Sequence, residues 1–304
     1  MECVLTCTGL CKSYGGAKAL CGLNMRVPRG AIYGLVGRNG AGKTTLIRLI
    51  CGLQRQTAGD FTLYGAQSGS QAISKARRRM GAVVETPSIY MDMTAMENLC
   101  QQALVLGLPS FDGLGEILRL VGLEHTGKKK AKNFSLGMRQ RLGIAVALVG
   151  DPDFLVLDEP ANGLDPQGII EMRELILRLN RERQITVLIS SHILDELSRL
   201  ATHYGILDGG RMVREISREE LNAACRKCTR VQVTKAAALA QVLDRMGLEY
   251  QIVDETAADV FAHVNVSQLA AALAEENCEL LTLSERDESL ESYFIALVGG
   301  ERDA

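Results

Sequence analysis

A short glycine-rich segment constrains the fold of this chain more than any other part of the sequence. GRNGAGKTT, residues 37–45, follows the apolar run AIYGLVG, which has the length of a strand. It leads into GKTTLIRLICGL, where Leu46, Leu49 and Ile50 lie on one helical face. Glycines let backbone N–H groups approach a phosphate closely, and the helix adds its positive N-terminal end. The pattern GxxxxGK followed by Ser or Thr, between a strand and a helix, therefore predicts a phosphate-binding loop.

Two side chains of this phosphate loop (residues 37–45) have separate predicted roles. Lys43 is a point charge for the β- and γ-phosphates of a nucleotide, and the Thr44 hydroxyl is a hard oxygen ligand for Mg²⁺. The predicted nucleotide ligands of the loop are Gly37, Arg38, Asn39, Gly40, Ala41, Gly42, Lys43, Thr44 and Thr45.

Two later apolar strands end in polar residues. FLVLDEP supplies Asp158 and Glu159, and LISSH supplies His192. A buried strand rarely ends in two carboxylates for packing reasons, because each would cost several kcal/mol if unpaired. We therefore predict that Asp158 holds Mg²⁺ and that Glu159 polarises the attacking water. His192 should reach the same sheet edge, where it is a candidate sensor of the γ-phosphate.

The pattern of strands and helices divides the chain into two parts. Up to about residue 220, apolar strands alternate with helices, which indicates an α/β fold with a mostly parallel sheet covered on both faces. Near Arg218 the order becomes strand, helix, strand, strand, helix, strand, which fits a ferredoxin-like unit. SLESYFIALVGG, residues 289–300, predicts a final short helix. We expect an ATP-binding domain over residues 1–220 and a small α+β domain over residues 221–304.

Composition excludes several classes of function. The net charge is −2, and residues 221–304 hold 7 Lys and Arg against 14 Asp and Glu, which disfavours nucleic acid as a partner. The nine cysteines form no disulfide framework, and Cys225 and Cys228 are a lone CxxC, so reduced thiols are expected. We expect no signal peptide. The sequence contains no run of about 18 apolar residues, so we also expect no membrane span.

Five motifs in order resemble one family. They are the phosphate loop, FSLGMRQR, LVLDEP, NGLDP and SSH, and over residues 1 to about 220 they resemble the ATP-binding subunit of ABC transporters. FSLGMRQR resembles the signature loop, whose usual form is LSGGQ, and it departs from that form at Leu136 and Met138. In this family two subunits pair head to tail, with each ATP between the phosphate loop of one and the signature of the other. The resemblance implies that Ser135 and Gly137 contact the partner's nucleotide.

The resemblance also assigns roles to single residues. Tyr14 in KSYGG resembles the aromatic residue that stacks on adenine, and Asp165 in NGLDP resembles a residue at the dimer interface. Glu85 stands where the family usually has glutamine. A carboxylate binds Mg²⁺ more strongly than an amide, although a neutral change in a loop is the alternative explanation. With Glu85, the chain is similar to the subgroup that exports lantibiotic and bacitracin-type peptides.

The resemblance implies an ATPase that uses Mg²⁺ and powers export of a peptide antibiotic or similar amphipathic compound. It would work at the cytoplasmic face of the membrane, as a homodimer or with a paired ATPase subunit, through separate permease subunits. SIYMDMTAMENL, with Ile89, Tyr90, Met91 and Met93, is the expected docking segment. Two alternatives remain: an exporter of drugs, sodium or haem, and a soluble ABC ATPase that remodels ribosomes, DNA or an iron–sulfur scaffold.

Overall fold

The computed structural model describes residues 2–224 and 228–286. It forms two compact units that divide between Arg218 and Glu219. The strands and helices of the first unit are β1 (Cys3–Tyr14), β2 (Ala17–Pro28), β3 (Ile32–Val36), α1 (Lys43–Ile50), β4 (Ala58–Leu63), β5 (Ala66–Gln67), α2 (Ala72–Arg77), β6 (Met80–Val83), α3 (Ala95–Leu106), α4 (Leu114–Leu120), α5 (Leu136–Leu148), β7 (Phe154–Asp158), α6 (Pro166–Arg183), β8 (Thr186–Ser191), α7 (Leu194–Ser198), β9 (His203–Asp208) and β10 (Arg211–Ser217). The helix α8 (Arg218–Ala224) begins at the division.

A six-stranded sheet positions the polar strand ends of the first unit. Its order is β10-β9-β3-β8-β7-β6, and every neighbouring pair is parallel except β10 with β9. All residues of β3, β7 and β8 are buried, as expected for strands covered on both faces. Because the carboxyl ends of parallel strands meet at one edge, the loops after β3, β6, β7 and β8 open on the same side. The predicted α/β fold with a mostly parallel sheet is confirmed.

Two smaller parts complete this unit. An antiparallel sheet has the order β2-β1-β4-β5, and α3 packs against α4 and α5 as a helical part. A capping box starts α3, because the Thr94 hydroxyl accepts from the Glu97 N–H while the Glu97 carboxylate accepts from the Thr94 N–H. In the expected docking segment just before it, Tyr90 and Met91 are exposed.

The second unit contains β11 (Cys228–Val233), α9 (Ala236–Arg245), β12 (Tyr250–Asp254), β13 (Ala257–Val260), α10 (Val266–Glu275) and β14 (Leu280–Arg286). The sheet order is β12-β13-β11-β14 with antiparallel pairs, and Val231, Leu239 and Leu273 lie in its core. The ferredoxin-like classification and the functional division at residues 220/221 stay predictions.

Three sequence predictions concern the remaining parts of the chain. The expected helix over residues 289–300 and the Cys225 thiol lie outside the described residues. Cys228, the other cysteine of that pair, is half-buried at the start of β11. Within residues 2–224 and 228–286, no helix is both long and apolar enough to cross a membrane.

Candidate active site

The phosphate loop connects β3 to α1, and at each of its three glycines a side chain would either strain the backbone or clash with a neighbouring carbonyl. Gly40 and Gly42 have φ of 82° and 109°, in the region that favours glycine. A Cβ at Gly42 would lie 2.7 Å from the Ala19 carbonyl oxygen, and one at Gly37 would lie 2.6 Å from that of Leu207. The start of α1 has no side-chain cap and no acidic residue in its first turn. Its N–H groups and positive end therefore suit a phosphate.

The three predicted catalytic residues lie in contact at the sheet edge. Lys43 is 5% exposed, and its Nζ donates to the Gly37 carbonyl at 2.7 Å and to that of Arg38 at 3.3 Å. The same Nζ is 3.2 Å from Glu159 Oε1. The second oxygen, Oε2, is 2.8 Å from His192 Nδ1. One carboxylate therefore joins the phosphate loop to the end of β8.

Glu159 has a strained backbone. Its φ is 48°, a left-handed conformation that costs a residue other than glycine about 1–3 kcal/mol. Its N–H donates to the Ser190 hydroxyl at 2.9 Å and to the Ser190 carbonyl at 3.2 Å. Such strain is concentrated at functional sites, where the surrounding structure must hold it. The role of Ser190 could not be predicted from the sequence, because a serine inside an apolar strand carries no distinguishing pattern.

Asp158 offers one free oxygen. Its carboxylate is 3% exposed, and Oδ1 accepts from the Ser190 hydroxyl at 2.6 Å. Oδ2 is buried and has no hydrogen-bond partner in the part of the chain that the structure describes. A buried carboxylate oxygen without a partner is unfavourable, and a cation would satisfy it. The donor set therefore fits Mg²⁺, a hard cation that takes one or two carboxylates together with substrate phosphates.

Glu85 lies on the loop after β6 and has a φ of 59°. Its side chain is 54% exposed and forms an ion pair with Arg48 of α1. Among the described residues, no hydrogen bond or ion pair joins Glu85 to Thr44 or Asp158. Thr44 itself is half-buried in the first turn of α1. The assignment of Glu85 and Thr44 as metal ligands stays a prediction.

Ser135 and Asp165 each cap a helix. The Ser135 hydroxyl accepts from the Met138 N–H at 3.2 Å at the start of α5, and Asp165 accepts from the Gly168 N–H at 3.0 Å at the start of α6. A Cβ at Gly163 would lie 3.2 Å from Leu136 Cδ2, so the signature loop and NGLDP are neighbours.

The signature residues and the phosphate loop share no bond within one chain. Within the described ranges, no hydrogen bond or ion pair connects Ser135 or Gly137 to residues 37–45. The structure therefore brings Lys43, Glu159 and His192 into contact, whereas in the described part of the chain Ser135 and Gly137 have no bond to the phosphate loop.

Tyr14, the predicted adenine-stacking residue, is an exposed aromatic ring. Its hydroxyl is hydrogen-bonded to Gln54, and Lys12 Nζ lies 4.9 Å from the ring centroid. An exposed ring held at its hydroxyl can offer a face to a base. The stacking role itself stays a prediction.

A second carboxylate lies close to His192 and was not identified from the sequence. Glu196 of α7 lines one cavity together with Glu159 and His192. It accepts from the Ser191 hydroxyl at 3.4 Å, and the same hydroxyl accepts from the Ile193 N–H at 3.0 Å. Burial raises the pKa of Glu196, while the bond from Ser191 and the charge of His192 oppose the shift. These contacts stabilise the turn that presents His192.

A parallel sheet whose edge joins a phosphate loop to an aspartate, a glutamate and a histidine defines the class of P-loop ATPases. The model of the ABC transporter family matches residues 20–162. Over its whole length the chain is similar to the bacitracin transport ATP-binding protein BcrA of Bacillus licheniformis, with 40% identity over 304 residues and 99% of each chain covered. The chain belongs to the ATP-binding subunits of the ABC transporters.

Two further relatives support this assignment. The lantibiotic transport ATP-binding protein SrtF of Streptococcus pyogenes is 40% identical over 212 residues, which cover 70% of this chain and 90% of the relative. The solved structure of cbiO1 from Clostridium perfringens, part of the ABC transporter complex cbiONQ, is 26% identical with a TM-score of 0.67. The match covers 81% of this chain and 97% of cbiO1. The family predicted from the motifs is therefore confirmed.

Proposed function

We propose that this chain uses the energy of ATP hydrolysis to export a peptide antibiotic, or a similar amphipathic compound, through separate membrane subunits. The observation that carries the proposal is the similarity to a bacitracin transport protein over 99% of both chains. That match includes the second unit, whereas the match to the lantibiotic transport protein covers 70% of this chain. The shared length supports a common task for the whole chain and not only for its ATPase core.

The contacts at the sheet edge suggest how hydrolysis proceeds. Lys43 now pairs with Glu159 Oε1 at 3.2 Å, and a γ-phosphate would compete for the same ammonium group. Once the phosphate takes Lys43, the Glu159 carboxylate is free to accept a proton from the attacking water. His192, at 2.8 Å from Oε2, keeps the carboxylate in place during this exchange.

Mg²⁺ is the cation that this donor set fits. Asp158 Oδ2 and the Thr44 hydroxyl would hold it, with Glu85 as a third ligand if its ion pair with Arg48 opens. When bound, the ion neutralises charge on the β- and γ-phosphates. The carboxylate of Asp158 is already oriented by Ser190 at 2.6 Å, so little rearrangement is needed there.

Two copies are needed for a complete site in this proposal. The exposed Ser135 hydroxyl and the N-terminal end of α5 suit the γ-phosphate of ATP bound to the other copy. Head-to-tail pairing would bring each phosphate loop to the partner's signature loop. The membrane partner would dock at the exposed Tyr90 and Met91, at the cytoplasmic face of the membrane.

Resistance of living cells tests the export proposal. We would produce the chain with its membrane subunits in a peptide-sensitive strain and measure the inhibitory concentrations of bacitracin and a lantibiotic. Wild type should raise at least one of them, and Glu159→Gln should not. Glu174→Gln, which removes a charge from an exposed position on α6, is the matched control and should behave as wild type. Equal resistance with wild type and with Glu159→Gln, or no rise in the inhibitory concentration of either peptide with wild type, would contradict peptide export.

A further inference from the structure

Ser190 connects the two carboxylates of the active site. It is the penultimate residue of β8 and is 0% exposed. Its hydroxyl donates to Asp158 Oδ1 at 2.6 Å and accepts from the Glu159 N–H at 2.9 Å. A hydroxyl has one hydrogen, so donation to Asp158 directs a lone pair toward Glu159. One side chain therefore holds both neighbours in a defined orientation.

The hydrogen bond from the Ser190 hydroxyl to Asp158 is stronger than a hydrogen bond between neutral groups. A hydroxyl that donates to a carboxylate at this distance forms a charge-assisted hydrogen bond, about twice as strong as a neutral one. It satisfies Oδ1 and leaves Oδ2 as the oxygen without a described partner. The hydroxyl thus selects which oxygen of Asp158 remains available for a cation.

The bond to Glu159 acts on the backbone. The left-handed φ of 48° at Glu159 persists only if neighbouring groups hold it. The Ser190 carbonyl also accepts from the same N–H at 3.2 Å, and that bond does not depend on the side chain. Removal of the hydroxyl therefore weakens the restraint on Glu159 but does not abolish it.

We propose that Ser190 is a positioning residue that presents Asp158 Oδ2 to the magnesium ion and holds Glu159 in its strained conformation for hydrolysis. The inference rests on the proposed magnesium site. Ser190 acts through the two carboxylate residues, because its hydroxyl bonds to Asp158 Oδ1 and to the Glu159 N–H. Groups that orient a metal ligand commonly contribute about 10- to 100-fold to metal affinity or activity.

A matched control exists on the same strand. Thr186 of β8 is also buried, and its hydroxyl accepts from the Gly30 N–H at 2.9 Å. Its side chain has no described bond to Asp158 or Glu159. Thr186→Val removes a buried hydroxyl at the opposite end of the same strand, so it reports the cost of losing such a group away from the site.

The experiment compares wild type, Ser190→Ala, Ser190→Cys and Thr186→Val as full chains. Mn²⁺ binding is followed by electron paramagnetic resonance with a non-hydrolysable ATP analogue, and the Mg²⁺ midpoint of ATP hydrolysis is measured separately. Ser190→Ala should weaken Mn²⁺ binding and raise the Mg²⁺ midpoint by about tenfold, with little change in metal-free nucleotide binding. Ser190→Cys, which keeps a weak donor of similar size, should lie between wild type and alanine.

The possible outcomes distinguish a failure of the inference about Ser190 from a failure of the proposed magnesium site. Thr186→Val should show the same Mn²⁺ binding and Mg²⁺ midpoint as wild type. If these values shift in Thr186→Val as much as in Ser190→Ala, Ser190 has only a structural role and the inference is overturned. Cation binding by Ser190→Ala within twofold of wild type would overturn it too. If Ser190→Ala does not fold, Ser190→Cys takes its place. Cation binding by Ser190→Cys within twofold of wild type, or a shift equal to that of Thr186→Val, would then overturn the inference. If wild type hydrolyses ATP without a divalent cation, the proposed magnesium site itself fails.

Discussion

Glu159→Gln should nearly stop ATP hydrolysis without loss of ATP binding. The amide keeps the shape of the side chain but cannot accept a proton from water, and a general base commonly contributes about 100- to 10,000-fold. This range corresponds to about 3–5 kcal/mol of transition-state free energy. The substitution also removes a competitor of ATP. At 3.2 Å, the Lys43–Glu159 attraction is about 5 kcal/mol at an effective dielectric constant of 20.

Desolvation of Lys43 and Glu159 offsets most of the attraction between them. We therefore expect the Glu159→Gln variant to bind ATP as tightly as wild type does, or up to about tenfold more tightly. Phosphate release under saturating Mg²⁺ measures the catalytic rate, and titration with a fluorescent ATP analogue measures affinity. Size-exclusion chromatography with ATP should show an accumulated dimer. Glu174→Gln should match wild type in all three assays. A catalytic rate of Glu159→Gln within threefold of wild type would refute the role of Glu159 as the base.

Substitutions at three other residues test separate parts of the site. Lys43→Ala should abolish hydrolysis and strongly weaken ATP binding; near-normal turnover would exclude the phosphate loop as the nucleotide site. Glu85→Gln should retain most ATPase activity, whereas Glu85→Ala should reduce peptide resistance more than ATP binding and shift the Mg²⁺ dependence; unchanged values for alanine would make Glu85 a tolerated loop residue. Gly42→Ala, whose Cβ would meet the Ala19 carbonyl at 2.7 Å and whose φ is 109°, should lower the free energy of unfolding by about 1–3 kcal/mol, measured by urea denaturation. A urea midpoint equal to that of wild type would show that the loop tolerates a side chain there.

The parts of the fold that depend on local pattern could be predicted from the sequence. The phosphate loop has a fixed spacing between a strand and a helix, and one buried strand that ends at Asp158 and another that ends just before His192 indicate one sheet edge. Strand order could not be predicted, because β3 lies between β8 and β9, which follow it by more than 150 residues. Pairing over such distances depends on how whole surfaces fit and leaves no local pattern.

The contacts within the site also depend on tertiary structure. The sequence predicts that Glu159 polarises the attacking water and that Lys43 contacts the phosphates. No local sequence pattern, however, indicates that these two side chains pair with each other. The ion pair of Arg48 with Glu85 joins residues of α1 and the loop after β6, so their proximity follows from packing alone. Ser190 resembles any small residue of an apolar strand until its neighbours on β7 are known.

A fused dimer tests most directly whether two copies assemble each ATP site. Two chains joined by a flexible linker would carry Lys43→Ala in one half and Ser135→Arg in the other, and a second fusion would carry both substitutions in the same half. If ATP lies between copies, the first fusion retains one intact site and hydrolyses ATP, while the second has a defect in each site and is inactive. The reverse result, with activity only when both substitutions share one half, would show that each chain forms its own complete site.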